Sequence, residues 1–241
     1  MDQPDAPLTP SHRQKNASPE EAALGQRCRE FTMTPPAVSL NAIRAVEFIA
    51  GRRIPGDIVE CGVWRGGISM AMACRLQALG QVRDFYLYDT FEGMSQPTEH
   101  DEAPSGEKAG SLLERLPKDE QNHIWAYAPI EKVRKNLQST GYPMERVKLI
   151  KGKVEDTIPG TMPEKIALLR LDTDWYESTK HELTHLYPRL VSGGILILDD
   201  YGFWAGARKA VDEFFETSHP RPQLNVVRDG IADSAHWAVK P

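Results

Sequence analysis

Short apolar runs alternate with helical patterns along most of this chain, and the runs end in acids. Ile166-Ala-Leu-Leu-Arg-Leu stops at Asp172-Thr-Asp174, and Ile195-Leu-Ile-Leu stops at Asp199-Asp200. Strands alternating with helices predict a parallel sheet with helices on both faces. Ligands of such sheets lie at the carboxyl ends of the strands, near the topological switch point. Glu60, Asp89, Asp172, Asp199 and Asp200 all fall at such ends. Carboxylates held together repel by about 4 kcal/mol per pair at about 4 Å and moderate dielectric. The cluster therefore needs protons or a divalent cation.

The alternation starts after a polar, proline-rich leader over residues 1–19 that reads as disordered. A helical pattern runs from Glu20 to about Phe31, Thr34-Pro35-Pro36 breaks it, and Pro36 opens a second helix to about Ala50. These N-terminal helices, residues 20–50, are expected to form a lid. The main α/β domain is expected over 51–241. It comprises strand Asp57–Glu60, helix Ile68–Leu79, strand Asp84–Asp89, a helix near Pro129–Ser139, strand Val147–Ile150, strand 166–171, a helix from Ser178 to about Leu190, strand 195–198 and helix Ala205–Thr217. Asn225–Val227 and His236–Val239 are expected to close the sheet as a hairpin around Asp229-Gly230. Residues 93–121 form a long polar insertion of the kind that serves as a lid or binding loop.

Composition excludes several function classes. A net charge of -5 argues against nucleic acid as a partner. No apolar run approaches the ~20 residues that span a bilayer. Three cysteines (Cys28, Cys61, Cys74) without paired spacing suit reduced thiols in a cytoplasm.

Between the first strand and its helix lies Glu60-Cys-Gly62-Val-Trp-Arg-Gly66-Gly67. Its glycines allow a tight turn and close backbone approach to a ligand. The loop matches neither the dinucleotide fingerprint nor the P-loop. An acid before the first glycine suits an ammonium group, and Asp89 at the end of the next strand suits ribose hydroxyls. Amine and ribose together describe S-adenosylmethionine.

Four blocks then resemble one family. Asp57-Ile-Val-Glu-Cys-Gly-Val-Trp-Arg-Gly-Gly67, Tyr88-Asp-Thr-Phe-Glu-Gly-Met94, Leu169-Arg-Leu-Asp-Thr-Asp-Trp-Tyr-Glu-Ser-Thr179 and Gly193-Gly-Ile-Leu-Ile-Leu-Asp-Asp-Tyr201 are similar to the macrocin O-methyltransferases, in the same order. The likeness runs from about residue 30 to 217 and is nearest to the novobiocin-type deoxysugar 4-O-methyltransferases. It implies a class I S-adenosylmethionine-dependent methyltransferase: an α/β, Rossmann-like fold with a parallel central sheet, a closing antiparallel hairpin and an N-terminal helical lid. It implies Mg²⁺ held by Asp172, Asp199 and Asp200, with Asp174 as the base. Cofactor contacts are expected from Glu60, Cys61, Gly62, Val63 and Trp64; from Asp89, Thr90, Phe91 and Glu92; from Val154, Glu155 and Asp156; and from Asp172. The expected acceptor is a glycosylated antibiotic intermediate, with noviose 4-OH of a coumarin-type precursor the first choice and a macrolide sugar the second. The N-terminal helices and the insertion could pack across a homodimer.

Asp174 shares a face with Asp172 if the strand continues through Thr173. Asp172-Thr-Asp174 also allows a metal-dependent phosphohydrolase, although those enzymes carry Asp-x-Asp after the first strand. A binder without catalysis is a third possibility, weighed down by the intact acid cluster. His181-Glu-Leu-Thr-His185 satisfies the zinc-protease pattern. Its helix, however, turns Leu183, Leu186 and Leu190 inward and both histidines toward solvent, and no third ligand is evident. Met70 and Met72 read as core filling, Glu99-His-Asp-Glu102 as a solvated loop, Trp204 as ambiguous, and Thr32-Met-Thr34 as a segment that closes over the sugar.

Overall fold

The computed structural model describes residues 17–120, 122–217, 220–228 and 235–241. Seven strands form one sheet: β1 (Asp57–Cys61), β2 (Phe85–Asp89), β3 (Val147–Lys151), β4 (Ile166–Leu171), β5 (Leu190–Leu198), β6 (Asn225–Val226) and β7 (His236–Val239). Their spatial order is β3-β2-β1-β4-β5-β7-β6. The first five are parallel, and β7 adds antiparallel to β5 and to β6. The order reverses between β1 and β4, so the switch point lies where the glycine loop and Asp172 meet. The expected turn at Asp229-Gly230 lies outside the described residues.

The helices are α1 (Pro19–Cys28), α2 (Pro36–Gly51), α3 (Gly67–Ala78), α4 (Ala109–Arg115), α5 (Ile130–Gln138), α6 (Val154–Thr157), α7 (Tyr176–Leu186) and α8 (Ala205–Thr217). Ser18 caps α1 through a capping box with Glu21, so the helix starts at Pro19, inside the expected leader, whose residues 1–16 lie outside the described residues. Two sequence boundaries move. The α7 helix starts two residues earlier than expected and stops at Leu186, and Leu190 begins β5 rather than ending the helix. Pro188 sits in the 3-10 turn Tyr187–Arg189 between them, where its ring and missing N–H end a helix. No helix among the described residues is long and apolar enough to cross a membrane.

Period-two alternation sorts the strands into two cores. Ile58, Leu87, Leu168, Ile195 and Ile197 face a layer containing Val46, Ile49, Met70 and Met72. Val59, Cys61, Tyr88, Leu169, Leu171, Leu196 and Leu198 face the other layer with Leu183, Leu186, Phe214 and Phe215. Met70 and Met72 are fully buried core residues. Helix α2 also belongs to the first layer, with Val38, Ile43, Val46 and Ile49 almost inaccessible. Of the expected lid, the stretch that reaches the cavity is Phe31–Pro35. The buried Glu21–Arg44 pair (2.7 Å) and Arg75, shared by Glu20 and Glu47, dock α1 on α2 and α3.

The insertion is partly ordered by its own small core. Ala109 and Leu113 of α4 pack with Trp175, Trp204 and Ala207. Within the run expected to be a solvated loop, Asp101 is completely buried. It accepts hydrogen bonds from Thr98 N (2.6 Å), Thr98 Oγ1 (2.9 Å) and Tyr176 N at the start of α7 (2.8 Å). A Cβ on Gly206 would lie 1.9 Å from Asp101 Oδ1, so α8 approaches this carboxylate closely. A buried carboxylate satisfied by amide N–H groups is a local staple, and it is invisible in a pattern that scores acids as exposed.

Candidate active site

The charged residues of the site continue the strand faces that build the first core. Residue phase carries Ile58 to Glu60, Leu168 to Arg170 and Asp172, and Ile197 to Asp199. Glu60 and Arg170 are register partners on adjacent strands. The same rule puts Cys61 on the opposite face, in the second core.

Arg170 organises this face. Its guanidinium is 1% exposed and reaches Glu60 Oε1 (2.7 Å), Asp172 Oδ2 (2.8 Å) and Asp199 Oδ1 (2.7 Å). Burial works against its charge, but Asp172, Asp199 and Glu60 outweigh that and hold it well above the ordinary arginine value. Sequence reasoning misses Arg170. The signal that could have found it is a lone cation inside an apolar strand, two residues before an acid. Glu60, expected to meet an ammonium group, is fully buried and already accepts from Ser69 Oγ and Arg170. Burial raises its pKa, with Arg170 and Ser69 pulling the other way.

Asp89 spends its oxygens on the glycine loop. Oδ2 accepts from Val63 N (2.8 Å) and Trp64 N (2.9 Å), and Oδ1 from Phe91 N (2.7 Å). Trp64 (φ 48°) and Asp174 (φ 67°) adopt left-handed backbone beside the cavity, a conformation costing about 1–2 kcal/mol per non-glycine residue. The hydrogen bonds that Val63 N and Trp64 N donate to Asp89 hold Trp64 in it. Gly62 (φ 82°) has no substitute: a Cβ there would sit 1.8 Å from the Asp172 carbonyl oxygen. Gly62→Ala is expected to yield a protein that no longer binds S-adenosylmethionine measurably by calorimetry, with a melting temperature lowered by several degrees.

Asp172, Asp199 and Asp200 each offer an oxygen within 4.8 Å of the others. Burial pushes Asp172 and Asp200 well above the carboxylate range, and their acidic neighbours push the same way. Asp174 does not extend the strand: β4 ends at Leu171. A left-handed turn brings Asp174 into the cluster, where its N–H donates to Asp200 Oδ2 (3.1 Å). The assumption of strand geometry through Thr173 is therefore replaced by a turn. Trp204 Nε1 donates to Asp174 Oδ1 at 2.6 Å, which resolves the role of that tryptophan. Burial, then the Asp172 charge, pushes Asp174 up to about 7.

One cavity of about 430 Å³ gathers most of the expected residues: Glu60, Gly62, Val63, Trp64, Asp89, Thr90, Val154, Glu155, Asp172, Asp174, Asp199 and Asp200 all line it. Cys61, Phe91, Glu92 and Asp156 do not. Cys61 points into the other core, Phe91 is buried beside the loop, Glu92 is exposed and paired with Lys151, and Asp156 faces solvent. Residues not anticipated at this cavity include Arg170, His123, Ile124 and Phe203.

The zinc-like motif is split by the helix. His181 is only partly exposed and its Nε2 lies 2.9 Å from the Ile158 carbonyl oxygen, while Glu182 is fully buried and accepts from Thr173 Oγ1 (2.9 Å). The two histidine rings meet at a tilt of 50° with centroids 4.4 Å apart. Neither lines the cavity.

The all-oxygen, mutually repelling triad suits a hard divalent cation such as Mg²⁺. Acids whose folded pKa is raised contribute stability below about pH 4 that is lost as pH rises through the folded value, here about 7 for Asp174. Metal-stripped protein should accordingly melt several degrees lower at about pH 8 than at about pH 6. Added Mg²⁺ should recover most of the loss at the higher pH and little at the lower. Equal Mg²⁺ effects at both values would contradict the cluster as a cation site.

Residues 11–231 match the family model described as macrocin-O-methyltransferase (TylF). A tetracenomycin-sugar 4'-O-methyltransferase of Streptomyces olivaceus is 38% identical over 72% of this chain, and the match spans 63% of that relative, less than two thirds of its length. The demethyldecarbamoylnovobiocin O-methyltransferase of Streptomyces niveus is 35% identical over 79% of this chain and 70% of its own. The solved O-methyltransferase NovP superposes with a TM-score of 0.74 at 30% identity, covering 87% of this chain and 82% of NovP. The calicheamicin methyltransferase CalS11 shares the fold, with a TM-score of 0.61 at 18% identity and 99% coverage of both chains.

Proposed function

Since the chain belongs to the macrocin O-methyltransferase family, we propose that it transfers a methyl group from S-adenosylmethionine to a deoxysugar hydroxyl of a glycosylated antibiotic intermediate. The carrying observation is the juxtaposition at one cavity of the glycine loop, the Asp172–Asp199–Asp200 triad and Asp174. The noviose 4-hydroxyl of a coumarin-type precursor is the acceptor favoured by similarity to the novobiocin enzyme. The mycinamicin III 3''-O-methyltransferase of Micromonospora griseorubida, 32% identical over 80% of this chain, supports a macrolide sugar as the second choice.

The donor fits the turn around Gly62, where side chains are excluded and the Asp89-ordered backbone approaches the ligand. The triad would hold Mg²⁺, which supplies Lewis acidity that lowers the pKa of a bound hydroxyl. Arg170 fixes Asp172 and Asp199 from behind and offsets part of their repulsion. Trp204 anchors one oxygen of Asp174, so the carboxylate can take the acceptor proton as the new O–C bond forms and the S–C bond breaks. Asp174 does this in its ionised form, which predominates above about pH 7.

The direct test is transfer of labelled methyl from S-adenosylmethionine to a desmethyl novobiosyl acceptor and to a desmethyl macrolide glycoside. Turnover should vanish with EDTA and return with Mg²⁺. Undiminished turnover after thorough chelation would remove the metal from the mechanism. Cofactor binding without transfer to any glycoside would remove the methyltransferase function itself.

A further inference from the structure

Glu182 stands where a helix face should be apolar. It lies on the buried side of α7 with Leu183 and Leu186 and is completely inaccessible. Its Oε2 has no hydrogen-bond partner among the described residues. Burial pushes its pKa well above the carboxylate range, the hydrogen bond from Thr173 pulls the other way, and the Glu155 and Asp200 charges push it further up. A carboxyl in that setting costs stability that a leucine would not. Chains accept such local conflicts chiefly at functional sites.

What Glu182 holds is the turn that carries the chemistry. Its Oε1 accepts from Thr173 Oγ1 (2.9 Å). Thr173 lies between Asp172 and Asp174, and all three line the cavity. The backbone is tied before the turn, where Asp172 N donates to the Cys61 carbonyl oxygen (2.9 Å), and after it, where Trp175 N donates to the Thr173 carbonyl oxygen (2.8 Å). Between these ties Asp174 sits at φ 67°, a backbone state that persists only when its surroundings hold it. The hydrogen bond to α7 anchors the middle residue of the turn from the core side. Trp204 meets the same turn from the cavity side, donating Nε1–H to Asp174 Oδ1.

We propose that Glu182 is a positioning residue of the reaction: by accepting from Thr173 Oγ1 it fixes the turn that presents Asp172 and Asp174 to the cavity. The assignment rests on the methyl-transfer reading above. Glu182 touches neither substrate nor cofactor, and it acts through Thr173. The glutamate of the zinc-like motif thereby has a use that involves neither histidine.

The experiment compares Glu182→Leu, Glu182→Gln and Thr173→Val with the native protein. Leucine removes the acceptor and suits the layer, whereas glutamine keeps an oxygen for Thr173 Oγ1. Glu182→Leu should lower kcat about tenfold to a hundredfold, with a melting temperature at or above the native value. KM for S-adenosylmethionine should stay within about twofold. Glu182→Gln should restore kcat to within about threefold of native, and Thr173→Val should resemble Glu182→Leu. The double variant Thr173→Val with Glu182→Leu should lose no more than the larger single loss, because one interaction is removed either way. An independent reading of the turn is the indole N–H resonance of Trp204 in ¹⁵N-labelled protein, assigned by its loss in Trp204→Phe. It should move upfield in Glu182→Leu and Thr173→Val and stay in place in Glu182→Gln. Single losses that multiply in the double variant, or an unmoved indole resonance in both Glu182→Leu and Thr173→Val, would overturn the positioning role. So would a loss of kcat that follows a fall in melting temperature and is not rescued by glutamine. Native protein that methylates no glycoside, together with an indole resonance that moves in Glu182→Leu but not in Glu182→Gln, would support the hold on the turn and overturn the reaction instead.

Discussion

Asp174→Asn should lower kcat by about a thousandfold while leaving S-adenosylmethionine affinity within about twofold, the size expected when a positioned general base is removed. Asparagine keeps the shape and can still accept from Trp204 Nε1, so the turn at φ 67° should persist. It cannot take the acceptor proton. In the native protein Asp174 donates its backbone N–H to Asp200 Oδ2, and burial with the Asp172 charge pushes its carboxyl up to about 7. The native kcat should accordingly rise with pH toward a plateau above about 7, and the residual activity of Asp174→Asn should lose that limb. Asp199→Asn provides the contrast. It removes a charge from the triad, so it should weaken Mg²⁺ binding and turnover together. If Asp174→Asn instead loses Mg²⁺ affinity and Asp199→Asn does not, the division of roles is reversed.

Arg170→Met should be the most destabilising single change in the site. It removes the cation common to Glu60, Asp172 and Asp199, leaving acids uncompensated at positions that water reaches poorly. Removing one member of a buried ion cluster costs about 3–5 kcal/mol, a large share of the about 5–15 kcal/mol that holds a typical domain. Denaturant unfolding in EDTA would measure it. Lowering the pH to about 5 should recover part of the loss, because protons then replace the missing cation; Mg²⁺ should recover part as well by occupying the triad. A variant as stable as the native protein at neutral pH in EDTA would show that the acids are neutral without Arg170. The double variant Arg170→Met with Glu60→Gln should be more stable than Arg170→Met alone, since the most deeply buried orphan charge is then gone.

Much of this site is legible in the order of residues along the chain. Strand runs that end in Glu60, Asp89, Asp172 and Asp199 place four acids at the carboxyl ends of adjacent strands, because parallel strands share a direction. The glycine loop is legible because a left-handed turn without room for a Cβ excludes other residues at Gly62. What stays hidden is how each polar group is satisfied. Glu60 and Asp89 look like ligand-binding acids in sequence, yet their partners are Arg170, Ser69 and the loop's own amides. Asp101 looks like a solvated loop acid and is a buried staple. Those pairings join segments up to 110 positions apart, as with Glu60 and Arg170, and no local pattern encodes them.

The sequence alone determined the alternating architecture, the glycine turn after the first strand and the identity of the carboxylates, since these follow from residue periodicity, from glycine stereochemistry and from charge. Only the tertiary structure decided which acids take internal partners, as Glu60 does with Arg170 and Asp89 with the loop amides. It also decided that Asp174 enters the cluster through a left-handed turn rather than a continued strand. The physical reason is the same in each case. Periodicity constrains the face on which a side chain lies, whereas the pairing of a buried charge and the lining of a cavity depend on which distant segments are packed against that face.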